Sequence, residues 1–337
     1  MGIRSLTSLI KQKSPNSIQT TSLYTLKDKK VAIDASIFLY KSLANVRSNG
    51  DYLRNKDGKV VSHIIGILNK TMQYITLGIT PIYIFDGKPP LEKKFVLDER
   101  NKKANESKIL SEQSTSLEEK QKHEKNSIRI KKHHIDDLKQ LFDFMGVSYI
   151  HPDGEAEAYA SELCRIGYVD YVVTEDMDTL VYGCPRMIRN CLDKSIKRKD
   201  VVSIIDLDVI LTDFNMNMKE FIDMCIICGC DYCTTIPKVG TVRAYNYIHK
   251  YKTIDSFIDS KQCSTIPQEF IDNFQKAREL FDIFKQKIQI DDIPIHNSTY
   301  QFNEFQSYLL DECGLSEKKI TVICNKLNNS KKLKYYQ

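Results

Sequence analysis

A chain of 337 residues with 42% apolar content can bury the core of one large domain, or of a domain with a smaller appendage, which excludes a wholly disordered protein. No apolar run approaches the roughly eighteen residues of a membrane span, and the first residues, MGIRSLTSLIKQ, contain no signal-peptide core, so a soluble, intracellular protein is expected. The net charge of +5 is concentrated: Lys88 to Lys132 hold thirteen Lys and Arg against eight Asp and Glu, an excess equal to that of the whole chain, and a second surplus that includes Arg4 lies in residues 1 to 30. Basic patches on an otherwise balanced protein point to a polyanionic partner, most commonly nucleic acid.

In chain order, KKVAIDASIFLY reads as a buried strand at Val31 to Ala35 running into a helix, and VSHIIGILNKTMQYITLG has helical periodicity from Ser62 to Leu77. TPIYIFDGKPP is a second strand ending at Asp86 before a Gly and Pro turn; strand, helix, strand predicts a parallel sheet. The stretch from Leu91 to His134 is rich in Lys, Glu and Ser with neither Gly nor Pro, the composition of helices inserted outside the core. The pattern resumes with IDDLKQLFDFMG as a helix, VSYI as a strand, GEAEAYASELCRIG as a helix, YVVTED as a strand and MIRN, 187 to 190, as a further strand. Helices follow at about 206 to 211, 217 to 229, a pair around 240 to 250, then 253 to 259, 268 to 284 and 316 to 327, before a polar tail, KLNNSKKLKYYQ, expected to fray. There is no internal repeat. The fold class is α/β, with a mostly parallel central sheet flanked by helices.

Four of the ten cysteines fall in CIICGCDYC, but Cys225, Cys228, Cys230 and Cys233 point in different directions on a continued helix and the spacing is short for a zinc ribbon, so they read as structural thiols. The acids are more informative. In open parallel sheets ligands sit beyond the carboxyl ends of the strands. Asp34 follows VAI, Asp86 follows IYIF, and Glu175, Asp176 and Asp178 crowd the end of YVVT. Glu155 and Glu157 open a helix, where the macrodipole favours negative charge; two apart on a regular helix they diverge by about 200°, so one is expected to reach a metal directly and the other through water. Asp231, just past a helix, completes the set.

A lone Asp at a strand end is usually a cap or turn former. Five segments doing this at one sheet edge are costly unless cations are bound among them. Oxygen ligands without His or thiolate favour Mg²⁺ or Mn²⁺, and two such ions about 4 Å apart can activate a water and stabilise the leaving oxygen of a phosphodiester. Hydrolysis of nucleic acid is therefore expected.

MGIRSL, VAIDASIFLYKSL, SNGDYL, DGKVVSHIIGI, YIFDGKPP, GEAEA, TEDMDTL, and GCDYC followed by a Gly-Arg-Ala-containing segment resemble the structure-specific flap endonucleases of DNA replication and repair, the XPG-like 5′ nucleases, from Met1 to about residue 330. The resemblance implies a PIN-like sheet with an N-terminal nuclease region, 1 to 105, a helical arch inserted at 91 to 134, an internal nuclease region, 135 to 231, a helix-two-turns-helix DNA-binding element, 232 to 255, and C-terminal helices with a short tail, 256 to 337. It implies two Mg²⁺, with Mn²⁺ able to substitute: Asp34, Asp86 and Glu157 nearer one ion, Asp176, Asp178 and Asp231 nearer the other. Lys93 and Arg100 match arch residues that meet the scissile phosphate, and Tyr40 an aromatic on which an unpaired base stacks. Gly2, Arg47 and Lys70 match positions near the bend in the DNA.

The same resemblance places Lys238, Gly240 and Arg243 in the element that grips duplex backbone with a potassium ion. There the family's Gly-Ile-Gly is Lys238-Val239-Gly240. Val61 replaces a Thr near the expected 3′-flap site, and Lys332 replaces the aliphatic of the clamp-binding peptide. The implied activity is two-metal cleavage of 5′ DNA flaps at the single-strand to duplex junction, with 5′ to 3′ exonuclease activity, by a monomer acting on flapped or nicked duplex in the nucleus or in a viral DNA replication compartment. The alternatives are an exonuclease or gap endonuclease, a catalytically silent junction-binding scaffold, and a PIN-like ribonuclease.

Overall fold

The computed structural model describes residues 2–3, 5–48, 51–114, 116–282 and 287–335, with side chains to residue 330. Arg4 and the side chain of Lys332 lie outside the described residues.

Among the described residues ten strands form: β1 (Ile18–Ser22), β2 (Lys30–Asp34), β3 (Arg47–Ser48), β4 (Asp51–Tyr52), β5 (Thr80–Ile84), β6 (Tyr149–Ile150), β7 (Tyr171–Val173), β8 (Arg186–Asn190), β9 (Val201–Asp206) and β10 (Ile295–His296). β3 and β4 pair with each other, and the remaining eight make one sheet in the order β1-β9-β8-β7-β2-β5-β6-β10. Its centre, β8-β7-β2-β5-β6, is parallel throughout. The flanks run antiparallel, β9 against β8, β1 against β9 and β10 against β6. Sequence periodicity gave no sign of β1, β9 or β10. The connection from β8 to β9 is only residues 191 to 200, without a helix, and such a link lets the chain return beside itself antiparallel.

The central strands are apolar on both faces because both are covered. Val31 and Ile33 of β2, with Tyr83 and Phe85 around β5, enter one core with Leu39, Ile64 and Phe142. Ala32, Ile82, Ile84 and Val172 enter another with Ala160 and Leu163. A third core joins the N-terminal Leu6 and Ile10 to the C-terminal helices through Phe214, Phe221, Phe257 and Phe270. The register pairs Asp34 with Ile84 and Ile33 with Val173, so the carboxyl ends of β2, β5 and β7 finish level at one edge.

The polar insert forms helices Lys94–Gln113 and Leu117–Asn126, in which only Ala104 and Ser111 are buried among the described residues. The second is tied to the body by the Tyr40 hydroxyl donating to the Lys125 carbonyl (3.1 Å) and by an Arg47 to Glu124 ion pair (3.1 Å). The expected pair of helices around 240 to 250 is a single helix, Thr241–Tyr251, and the tail continues the last helix, Glu317–Tyr335, where fraying was expected. Among the described residues no helix is long and apolar enough to cross a membrane.

Phe142 is fully buried and stacks on Tyr83 at 4.3 Å between ring centres, joining helix Lys132–Met145 to the sheet. Phe142→Ala should cost about 3–5 kcal/mol of unfolding free energy in urea denaturation, with the denaturant slope unchanged.

Candidate active site: carboxylates at the sheet edge

Each acid is delivered by the end of a regular element. Asp34 closes β2 and caps the next helix, with Oδ1 accepting from the Ile37 amide at 3.1 Å and Oδ2 from the Thr174 hydroxyl at 3.0 Å. Asp86, two residues past β5, accepts from the Ala156 amide at 3.1 Å, so it caps the helix that bears Glu157. Gly87 makes this approach possible: its amide donates to the Gly154 carbonyl at 2.8 Å, and a Cβ there would lie 2.0 Å from the Pro152 carbonyl. Asp176 and Asp178 follow β7, the Asp178 amide donating to Asp176 at 3.1 Å.

Gly2 completes this wall. It has φ +75°, and a Cβ on it would fall 2.0 Å from Asp176 Oδ1 and 2.4 Å from Asp178 Oδ1, so both its conformation and its closeness require glycine.

The glutamates do not diverge as residues of one helix. Glu155 is extended (φ −71°, ψ 140°) and precedes the helix Ala156–Arg165, while Glu157 is in its first turn. Glu155 Oε1 accepts from Lys93, and Oε2 accepts from the hydroxyls of Tyr182 (3.0 Å) and Tyr232. Glu157 keeps part of its surface exposed, yet its carboxyl is enclosed; burial and then Asp34, Asp86 and Asp176 push its proton affinity well up. Burial raises Asp34 to about 7, helped by Asp86. Asp178 is driven well up by burial, Asp176 and Asp231, and its Oδ1 is buried without a hydrogen-bond partner.

Two cations of the insert answer this charge. Arg100 Nη2 donates to both oxygens of Asp231 at 3.0 and 2.8 Å, and Lys93 lies 3.4 Å from Asp231 as well as on Glu155. Burial works against the charge of Lys93, but Glu155, Glu157 and Asp231 raise its proton affinity above the ordinary lysine value. Among the described residues no three His, Cys, Asp or Glu side chains converge on one point as they stand; the acids are taken up by Lys93, Arg100, tyrosines and amides. The donor set nevertheless fits hard divalent cations: it is all oxygen, burial and then mutual repulsion push its proton affinity up, and one buried carboxylate oxygen lacks any partner.

The structure thus gathers Asp34, Asp86, Glu155, Glu157, Asp176, Asp178, Asp231, Lys93, Arg100 and Gly2. Glu175 is turned away to Lys41 (3.0 Å) and Arg189 (3.1 Å), which hold its carboxyl below the usual range despite burial. Tyr40 and Arg47 meet the second insert helix instead. Lys70 lies over the rings of Tyr74 (4.8 Å) and Phe38 (5.8 Å), and burial with Lys41 nearby brings it down to about 8. Lys238 adopts φ +62° where the family has glycine, and its carbonyl accepts from Arg243 at 2.7 Å; Gly240 caps the helix Thr241–Tyr251. Val61 is buried at the start of the helix Ser62–Thr76. Of the four thiols in CIICGCDYC, Cys225 and Cys228 are on the helix Met218–Cys228, while Cys230 and Cys233 pair only through their backbones, antiparallel, beyond it; all four are free, and burial pushes them up, Cys228 and Cys233 to about 12.

Sequence reasoning missed Thr174, Tyr182 and Tyr232 as partners of the acids, because nothing in a local pattern marks a hydroxyl that is aimed by tertiary contact. A cleft of about 710 Å³ opens beside the cluster, between the first insert helix and the chain from Gly229 to Thr235.

Residues 1–107 match the XPG N-terminal domain and residues 146–231 the XPG I-region. A curated relative, flap endonuclease 1 of Cryptosporidium parvum, is 36% identical, the match covering 98% of this chain and 71% of the relative. The chain belongs to the flap endonuclease branch of the XPG family. Flap endonuclease 1 of Glycine max is 35% identical, over 98% of this chain and 87% of its own. The solved structure of flap endonuclease-1 from Methanococcus jannaschii superposes with a TM-score of 0.69 at 26% identity, covering 93% of this chain and 96% of that one. This flap endonuclease is therefore a hydrolase that cuts DNA, of a metal-dependent type.

The crowding of acids has a measurable consequence. Folded Asp34 keeps a proton that the unfolded chain has already released, so without divalent ions its contribution to stability should fall as pH rises from about 4 to about 7. Asp34→Asn cannot ionise, so urea denaturation in EDTA should show a shallower fall and a variant more stable than the parent near pH 7. An unchanged slope would remove Asp34 from the coupled set.

Proposed function

We propose that this flap endonuclease cuts 5′ flaps at the junction of single strand and duplex, in replication (Okazaki fragment processing) and repair, and trims nicked duplex as a 5′ to 3′ exonuclease. The observation that carries the reading is the reach of Lys93 and Arg100, from an insert with little core of its own, into a crowd of buried carboxylates. Asp34, Asp86 and Glu157 would hold one Mg²⁺ and Asp176, Asp178 and Asp231 another, with Glu155 beside them and Mn²⁺ able to substitute. When bound, the two ions supply an activated water and charge stabilisation at the leaving oxygen.

The chain's own groups do the positioning. Lys93 and Arg100, paired here with Glu155 and Asp231, would meet the scissile phosphate and neutralise the charge that grows there. Thr174 orients Asp34, and Tyr182 and Tyr232 fix Glu155 by one oxygen, leaving the other for Lys93. The insert, 91 to 134, would form the arch passed by the 5′ strand, with Tyr40 as a base-stacking surface and Gly2, Arg47 and Lys70 near the bend. Lys238, Gly240 and Arg243 would contact duplex backbone in the element at 232 to 255. Such contacts set register and carry no base sequence, so specificity comes from the shape of the junction.

A potassium ion at this element would meet an altered turn: Lys238 stands in place of its first glycine, and the Lys238 carbonyl accepts from the Arg243 guanidinium. A sliding clamp, if engaged, would use something other than the usual peptide, which Lys332 interrupts. The enzyme is read as a nuclear or viral-compartment monomer.

The test is a gel assay of an end-labelled double-flap DNA with Mg²⁺ or EDTA, mapping the cut. The parent should cut at the junction only with Mg²⁺, leaving a 5′-phosphate. Asp178→Asn and Lys93→Met should each lower the single-turnover rate at least about 100-fold while binding of the flap DNA stays within about twofold by fluorescence anisotropy. Undiminished cutting by Asp178→Asn would sink its assignment.

A further inference from the structure

We propose that Phe95 is a stacking platform for a nucleobase of the single strand, seated in the cleft beside the carboxylates; the inference rests on the flap-cutting reading above. Phe95 is 67% exposed on the first insert helix. Exposure alone would carry little, since single apolar groups stand on most surfaces. Its position carries more. It lies two residues after Lys93 and five before Arg100, and it lines the same cleft as Arg100 and Asp231, with Val96 beside it.

Charge decides which part of a nucleotide enters. Glu92, Glu99 and Glu269 also line the cleft, and the one further cation there among the described residues, Lys103, is paired with Glu99 at 3.6 Å, so this part of the wall would repel a phosphate but not an uncharged base. The cations that could accept the phosphate, Lys93 and Arg100, are at the carboxylate end, on Glu155 and Asp231. A nucleotide whose phosphate meets that pair therefore turns its base, rather than its backbone, toward Phe95. Every base has a π-face, so the platform suits an enzyme that reads shape instead of sequence. A ring fixed on a helix next to the phosphate-binding pair would also set the angle at which the strand crosses the cluster, a positioning role.

The test places 2-aminopurine, whose fluorescence is quenched by stacking, at each nucleotide flanking the scissile phosphate, on Asp178→Asn protein so that the DNA stays whole. At one position the signal should be quenched, should recover when Phe95→Ala is added, and should stay quenched with Phe95→Tyr. In otherwise unaltered protein, Phe95→Ala should slow single-turnover cutting at least about fivefold. It should slow nothing when that nucleotide is abasic. Because the side chain is mostly exposed, the melting temperature should match the parent. Quenching that survives Phe95→Ala, or equal rates on intact flaps, overturns the proposal, and so would a result in which Phe95 served only to bind another protein. If the parent cuts no flap at all, the flap reading fails, and the quenching experiment decides Phe95 on its own.

Discussion

Mutual repulsion among carboxylates at the end of a parallel sheet is the constraint around which this molecule is built. Burial raises the proton affinity of these acids, and their closeness to one another adds to the effect, as at Asp34, Glu157 and Asp178. A fold tolerates this only if opposite charge is at hand. Here it comes from the side: Lys93 and Arg100 reach in from the insert, and amides at helix starts serve Asp34 and Asp86. The arrangement trades stability for readiness to take divalent cations.

The insert and the sheet are opposite solutions to the same problem. Parallel strands covered on both faces hold Asp34, Asp86 and Asp176 in fixed register, and Gly2 and Gly87 let backbone come closer than any side chain would permit. The insert helices bury almost nothing, so their position depends on a few polar ties, Tyr40 to Lys125 and Arg47 to Glu124, together with the cations in the cluster. An element held mainly by charge is one whose place can respond to charge, whether divalent ions or a polyanionic strand.

The departures from the family pattern are local and physically accommodated. Lys238 takes the left-handed backbone that glycine would adopt more cheaply, costing on the order of 1 kcal/mol, and Arg243 ties down its carbonyl. The cleft wall carries Phe95 between the two cations that face the acids. The Lys238 departure leaves the sheet edge undisturbed, which is why family chemistry and an individual feature coexist in one chain.

Much of this was legible in the residues alone. Apolar runs ending in acids marked β2, β5 and β7 and predicted that Asp34, Asp86, Asp176 and Asp178 would share an edge, because strand direction and the C-terminal rule for parallel sheets are local properties. The family likeness singled out Lys93 and Arg100. What no pattern disclosed was orientation: that Glu175 faces Arg189 and Lys41, away from its neighbours, that Glu155 stands before the helix and so escapes the helical divergence from Glu157, and that Tyr182 and Tyr232 meet on one glutamate oxygen. The antiparallel flanks β1, β9 and β10 were also invisible, since edge pairing depends on a partner far away in the chain. Sequence by itself determined which groups could do chemistry and on which elements they ride. Only the tertiary structure decided which way each side chain turns, because that choice is made by packing and by the nearest opposite charge, neither of which is written in local order.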